Sequence, residues 1–374
     1  MRLDRGFWHG RRVLLTGHTG FKGTWLGAWL VGMGAEVTGV ALAPHHEPSL
    51  FDAAELRRRI THHEADIRDA PRVAEIVRAA APQIVFHLAA QPLVLLSLEQ
   101  PVATFATNVV GTLNLLEAAR AVPDLAALVV VTSDKCYRDP ASPCAEEDPL
   151  GGLEPYSASK ACAELVAAAY RSCFLDAGRG VGLATVRAGN VIGGGDFSRD
   201  RLLPDLIRAA VAGRPGRVRQ PRAVRPWQHV LDALDGYLRL AQALVAAPGS
   251  FATSWNFGPP AENEWTVGDV ADEALRVLGR GTWHATAPAH HFEAPVLRLS
   301  SDRARSRLGW QPRLTTADAV AWAVEGYRLL LEQGRGDWLF EQIERYGELE
   351  PSLDHAATLR RLPWEVAGNG HAWT

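Results

Sequence analysis

Residues 129–160 gather hydroxyls, a carboxylate, two amines and a phenol into one short stretch. The apolar β-branched run Val129-Val130-Val131 ends in Thr132-Ser133-Asp134-Lys135, at what reads as the carboxyl end of a strand, where open α/β sheets hold their ligands. After a Pro-rich loop come Tyr156-Ser157-Ala158-Ser159-Lys160 and a helical run, which puts Tyr156 and Lys160 on one helix face. A phenol beside a fixed ammonium loses its proton more readily, because the positive charge favours phenolate. Tyr156 is therefore read as a general base toward a hydroxyl, with Lys160 holding it and reaching a ribose.

Lysine usage supports this choice. Of 39 basic residues only Lys22, Lys135 and Lys160 are lysine. Cations elsewhere in the chain are free to be arginine, so a retained lysine marks a place that wants a compact or titratable amine. All three fall in motifs singled out on other grounds.

Such a group needs a scaffold, and the sequence before it supplies one. Arg12-Val13-Leu14-Leu15-Thr16 reads as a buried strand running into Gly17-His18-Thr19-Gly20-Phe21-Lys22-Gly23 and then a helix from Thr24. Strand, glycine loop and helix in that order are the context of a dinucleotide fingerprint, in which glycines let the backbone approach a pyrophosphate at a helix N-terminus. His18 and Lys22 are expected to add positive charge beside the phosphates. A second strand, 36–42, runs into Ala41-Leu42-Ala43 and lacks the acidic residue that reads an NAD ribose, so this position does not decide between NAD and NADP. After a third strand, Asp66 in Ala65-Asp66-Ile67 is placed to accept from an adenine amine or to cap a helix. The fourth strand, 83–88, carries His87, a core histidine rather than a metal ligand, and ends in Leu88-Ala89-Ala90-Gln91, where small side chains admit a cofactor. A helix over 106–120 places the polar Asn108 on an apolar face, where it needs partners and would order a backbone or a water near the site.

Beyond the strand 181–187 the alternation breaks up and Gly, Pro and Arg accumulate. A dinucleotide-binding domain is expected over 1–188, a smaller substrate-binding domain over 189–350, a return segment to the first domain near 226–258, and a tail over 351–374. Most of the arginines between 214 and 225 read as a solvated loop; Arg225, beside Pro226-Trp227, is the one expected to clamp a diphosphate. The fold class is α/β, a Rossmann-type doubly wound parallel sheet with a smaller α/β substrate-binding domain. The many tryptophans read as core or interface.

A net charge of −3 over 374 residues argues against a nucleic-acid surface. Cys136, Cys144, Cys162 and Cys173 follow no disulfide or metal spacing, and the pairs His45-His46, His62-His63 and His290-His291 lack companions, so no metal is expected. Residues 1–12 hold no apolar core of signal-peptide length, and no apolar run approaches the roughly 18 residues of a membrane span. A cytoplasmic protein with no membrane partner is expected.

With Gly17/Gly20/Gly23, Ser133 and Tyr156-x-x-x-Lys160 collected, the chain resembles the extended short-chain dehydrogenase/reductase superfamily over roughly residues 10 to 330. Within it, Gly17 to Gly23, Glu47-Pro48-Ser49-Leu50-Phe51, Thr132-Ser133-Asp134-Lys135-Cys136-Tyr137 and Arg225-Pro226-Trp227-Gln228-His229-Val230 look like the CDP-glucose 4,6-dehydratases. The family's Leu-Lys-Leu-Asp run reads Leu297-Arg298-Leu299-Ser300 here. The resemblance implies an NAD-dependent lyase acting on a nucleotide sugar, working as a homodimer through helices of the first domain. It implies that Tyr156 takes the C4 hydroxyl proton, Asp134 is the acid at C6, Lys135 is the base at C5 and Ser133 bonds the reacting oxygen. Gly17, Thr19, Gly20, Phe21, Lys22, Gly23, Asp66, Ile67, Leu88, Ala89, Ala90 and Asn108, with Tyr156 and Lys160, would hold NAD. Gln91, Asn190, Arg201 and Arg225 would meet the substrate. The rival readings are a dehydratase of another nucleotide sugar, a 4-epimerase, which needs no acid and base for water loss, and a catalytically silent dinucleotide-binding scaffold, against which the intact Ser133, Tyr156 and Lys160 speak.

Overall fold

The computed structural model describes residues 3–139, 143–260, 265–287 and 294–350; the expected tail and the pair His290-His291 lie outside them. Seven strands form one parallel sheet in the order β10-β6-β5-β4-β1-β2-β3: β1 (Arg12–Thr16), β2 (Glu36–Ala41), β3 (Thr61–Glu64), β4 (Ile84–His87), β5 (Ala127–Val131), β6 (Gly182–Ala188) and β10 (Ser254–Phe257). The inner strands are buried on both faces, β6 along its whole length, which is why they read as continuous apolar runs rather than alternating ones. The chain leaves β1 toward β2 on one side and resumes with β4 on the other. That reversal opens a crevice at the carboxyl ends of β1 and β4.

Helices cover both faces. Ala70–Ala80, Gly111–Arg120 and Pro155–Cys173 pack Val73, Ile76, Leu115, Leu116 and Tyr170 on one side. On the other lie Phe21–Gly32 and the almost wholly buried Val230–Ala246. Two boundaries differ from the sequence expectation. The helix after the glycine loop starts at Phe21 rather than Thr24, so Lys22 and Gly23 belong to its first turn. The helix expected from Ala106 opens instead as Pro101–Phe105, passes through a π-turn at Ala106–Val110, and becomes α-helical at Gly111; Asn108 sits in that wider turn.

The return segment supplies β10, which adds in parallel to β6, and the helix beneath both. The smaller unit is built on the parallel pair of β8 (Gly216–Arg219) and β11 (Trp283–Thr286), with Leu202–Val211 and Val267–Leu278 packed on it, while β7 (Val191–Ile192) pairs with β9 (Gln228–His229). The C-terminal helix Trp338–Glu348 departs from the expected division at 189. Trp338 stands edge-on to Trp25 at 5.5 Å and Tyr346 to Trp29 at 5.6 Å, so those rings anchor it on the first helix of the large sheet. Trp8, Trp25, Trp255, Trp310 and Trp338 are fully buried.

Two histidines are locked into this core as neutral rings. His87 is hydrogen-bonded to Thr16 (2.7 Å) and Thr112 (2.9 Å), and His229 accepts from Leu231 N at the start of its helix, edge-on to Trp25 and Trp322. Burial lowers both from 6.5 to about 3. On acidification the unfolded chain takes up these protons first, so the stability they carry is whole above pH 6.5 and is lost toward pH 3. Denaturant unfolding should lose up to about 1.4 kcal/mol per pH unit for each imidazole between neutral pH and about pH 5, and His229→Gln should flatten that slope; equal slopes in the two proteins would contradict the assignment.

Candidate active site

The glycine loop is shaped by contacts that a side chain would destroy. Gly17 has φ +75°, and a Cβ on it would stand 2.7 Å from Ala89 N; one on Gly23 would stand 2.0 Å from Gly17 O. Gly20 caps the helix without a side-chain bond, leaving first-turn N–H groups directed at the crevice. Thr19 donates to Leu42 O, closing the loop onto β2. Thr16 Oγ1 accepts from Leu88 N and Ala89 N, so the β1 and β4 ends are fixed together. At the far end of this groove Asp66 accepts from Arg68 N and pairs with its guanidinium at 2.6 Å, with Ile67 behind it. His18 does not supply the expected charge. Its ring is buried beneath Gly39 and bonded to His62, and burial together with the His62 ring lowers it to about 3.

The groove opens into a cavity of about 1600 Å³ lined by Gly17, Thr19, Gly20, Phe21, Lys22, Gly23, Asp66, Ile67, Leu88, Ala89 and Ala90 on one side and by Ser133, Asp134, Lys135, Tyr156 and Lys160 on the other. That exceeds the space one drug-sized ligand needs and suits a dinucleotide beside a second substrate. β5 ends at Val131, and residues 134–136 turn in a tight 3₁₀ turn capped by Ser133, whose hydroxyl accepts from Lys135 N and donates to Asp134 Oδ1 at 3.1 Å. Asp134 Oδ2 is buried without a partner. Burial raises the Asp134 carboxyl, against the pull of Lys135, Ser133, Lys22 and Arg225, which favours the protonated form that an acid requires.

Tyr156 and Lys160 sit in the first turns of Pro155–Cys173. Glu154 caps that helix, accepting from Tyr156 N (2.7 Å), Ser157 N (3.0 Å) and the Ser157 hydroxyl, and Ser97 Oγ adds a bond to Glu154. Lys160 Nζ donates to Val131 O at 3.1 Å. Its ammonium thus bridges the helix to the strand that carries Ser133, and burial and the nearby Lys22 lower it to about 8. The expected activation of Tyr156 by Lys160 is not what governs the phenol. Burial dominates and raises it to about 12, while a hydrogen bond with Ser133 and the charge of Arg201 pull the other way.

Behind these groups lies a polar network that sequence reasoning missed. Glu164 accepts from Arg187 Nε (2.8 Å) and Nη2 (2.9 Å), from Thr132 Oγ1 (2.5 Å) and from Thr185 Oγ1 (2.7 Å). Arg187 goes on to Tyr137 OH and Glu146 O, and Tyr137 OH to Asn256. Strands β5, β6 and β10 and the Tyr156 helix are therefore joined inside the protein. The signal was present: a glutamate four residues beyond Lys160, and an arginine in a strand otherwise fit for burial.

On the substrate side, Asn190, Arg201 and Arg225 line the cavity; Arg201 donates to Pro92 O and Arg225 to Val224 O. Two expected contacts prove to be braces instead. Gln91 lies on the wall, but its amide is spent on Leu93 and Thr104. Asn108 does not line the cavity; it accepts from Gln91 N and donates to Gln91 O and Ser159 Oγ, because an amide buried in the π-turn must satisfy both ends. It holds the Ala90-Gln91 loop in place, as the ordering role in the sequence reading anticipated.

A model of the NAD dependent epimerase/dehydratase family matches residues 13–254. The curated CDP-glucose 4,6-dehydratase of Salmonella typhimurium is 45% identical over 333 residues, spanning 87% of this chain and 93% of that protein. A UDP-glucose 4-epimerase of Mycolicibacterium smegmatis is 27% identical over 85% of this chain and 98% of its own length. Among solved structures, the dTDP-glucose 4,6-dehydratase of Streptomyces venezuelae with NAD bound aligns at TM-score 0.70 and 25% identity, covering 84% of this chain and 96% of that one. A UDP-galactose 4-epimerase aligns at TM-score 0.70 and 27% identity over 85% and 99%.

Removing one partner of the Glu164–Arg187 pair leaves a buried charge uncompensated. Arg187→Met should therefore cost about 3–5 kcal/mol of unfolding free energy, with Glu164→Gln/Arg187→Met recovering part of it. An Arg187→Met protein as stable as the parent would show that the pair carries no structural weight.

Proposed function

Because the chain belongs to the NAD dependent epimerase/dehydratase family, we propose that it is a nucleotide-sugar 4,6-dehydratase converting CDP-D-glucose to CDP-4-dehydro-6-deoxy-D-glucose and water. The observation that carries this reading is the adjacency of an acid and an amine, Asp134 and Lys135, to the Tyr156 phenol on the wall of one cavity. The 45% identity to a CDP-glucose 4,6-dehydratase supports the choice of substrate. The residues fit NAD: Gly17, Gly20 and Gly23 leave backbone room for a pyrophosphate, and Lys160 lines the same cavity as Ser133, Asp134 and Tyr156. When bound, NAD supplies the acceptor for the C4 hydride and the donor that returns it at C6.

The side chains divide the proton traffic. Tyr156 receives the C4 hydroxyl proton, its phenolate favoured by Ser133 and the charge of Arg201 against burial and the charges of Asp134 and Glu154. The new C4 ketone acidifies C5–H. Lys135, acting as the free amine, takes that proton, while Asp134 gives its proton to the C6 hydroxyl. The C6–O bond breaks, water leaves, and a C5–C6 double bond remains to be reduced at C6 and protonated at C5. Asn190, Arg201 and Arg225, which line the cavity, would meet the diphosphate. An epimerase needs neither Asp134 nor Lys135 for its chemistry.

The same reading makes the protein a homodimer. Val102 and Leu165 are 81% and 61% exposed, and Val110 and Leu113 also face outward; they lie on the 101–120 segment and on Pro155–Cys173, which pack side by side. A second copy covering these helices would bury a surface that costs free energy in water. Among the described residues no helix is long and apolar enough to cross a membrane. Four free cysteines fit a reducing cytoplasm.

Asp134→Asn should still oxidise C4, seen as reduced-nicotinamide absorbance on mixing with CDP-glucose, while elimination falls about a hundred- to ten-thousand-fold; equal loss of both steps would remove Asp134 from the acid role. Leu165→Glu should shift the protein from dimer to monomer in sedimentation, and an unchanged mass would place any interface elsewhere. A galactose-configured product from the unmodified protein would replace the dehydratase reading with the epimerase one.

A further inference from the structure

We propose that Lys22, in the first turn of the glycine-loop helix, is a positioning residue for the acid step: its ammonium is the counter-ion of the carboxylate that Asp134 becomes on protonating the C6 hydroxyl. The proposal rests on the dehydratase reading. It revises the expectation that Lys22 serves the cofactor phosphates.

Lys22 is coupled by charge to other groups that line the cavity. Burial and Arg201 push it down, to about 8, while Asp134 and Asp196 pull it up. Asp134 feels Lys22 in return, and so does Lys160. Lys22, Asp134, Lys160 and Arg201 all line the same cavity. Among the described residues the Lys22 amine has neither a hydrogen-bond nor an ion-pair partner.

Asp134 has the complementary need. Ser133 satisfies Oδ1, but Oδ2 is buried with nothing bonded to it. Protonated, that oxygen is tolerable; ionised, it is a buried charge in want of a partner. Three cations act on the Asp134 carboxyl: Lys135, Lys22 and Arg225. Lys135 must be the free amine to act as base, so it offers no positive charge at the start of the step. Arg225 is anchored on Val224 O. That leaves Lys22, which lines the same cavity and, among the described residues, makes no hydrogen bond or ion pair, although Asp196 also acts on its charge. In the step, the Asp134 O–H bond breaks as its proton passes to the C6 oxygen. The C6–O bonding pair leaves with the water, and the carboxylate stays opposite Lys22. A compact ammonium suits that narrow place in a chain that otherwise uses arginine.

The test uses NAD-loaded enzyme and CDP-glucose in single turnovers with the parent, Lys22→Met and Lys22→Arg, together with NAD affinity by protein-fluorescence quenching. Lys22→Met should bind NAD as the parent does and should accumulate reduced nicotinamide, because elimination slows by at least about tenfold, less than the hundred- to thousandfold lost with a direct oxyanion donor. Lys22→Arg should restore elimination in part. Weakened NAD binding with an unchanged ratio of oxidation to elimination would overturn the proposal in favour of a phosphate-binding lysine. An unchanged Lys22→Met, or a Lys22→Arg as slow as Lys22→Met, would overturn it too. If the parent itself forms no 4-keto sugar, the dehydratase reading fails and the proposal falls with it; parent turnover with no change in Lys22→Met sinks the proposal alone.

Discussion

The account depends on how one helix is fastened to the end of one strand. Tyr156 and Lys160 arrive from Pro155–Cys173, while Ser133, Asp134 and Lys135 arrive from the turn after β5, more than twenty residues earlier in the chain. Two buried ties hold these pieces in register. Lys160 donates to Val131 O, and Glu164, one turn further along, gathers Thr132, Thr185 and Arg187. A buried ion pair of this kind gives little net stability over an apolar replacement but tolerates no loss of one partner. Its value here is geometric: the carboxylate can satisfy its four bonds only if β5, β6 and the helix stand in one arrangement.

Burial then sorts the protonation states. It raises the Asp134 carboxyl and the Tyr156 phenol and lowers the Lys22 and Lys160 amines. The same cause thus favours the neutral form of each group, including the protonated carboxyl that the proposed acid step needs, while Lys22, at about 8, still carries its charge at neutral pH. Burial also makes the phenol harder to ionise, so the Ser133 bond and neighbouring positive charge matter more than the helical proximity of Lys160 suggested.

Much of this was legible in the sequence. The strand-loop-helix of 12–32, the Tyr156/Lys160 spacing and the Ser133-Asp134-Lys135 turn follow from local periodicity and glycine placement, which chain-neighbour sterics dictate. The fate of buried polar groups was less legible, because it depends on partners far away in sequence. His18 and Gln91 read as ligand contacts, yet each is consumed by a neighbour, His62 in one case and Leu93 with Thr104 in the other. Nothing local to Glu164 or Arg187 shows that the two pair across the core. The C-terminal helix was assigned to the smaller unit because nothing local shows that Trp338 and Tyr346 meet Trp25 and Trp29.

The claim that joins these observations is that one cavity removes hydrogen from C4 and restores it at C6 while water departs between the two events. CDP-glucose carrying deuterium at C4 tests it most directly, with the product examined by NMR and mass spectrometry. The account expects the deuterium in the C6 methyl group and a solvent-derived hydrogen at C5. Deuterium retained at C4 in a sugar that still has its C6 oxygen, or lost to solvent altogether, would contradict it.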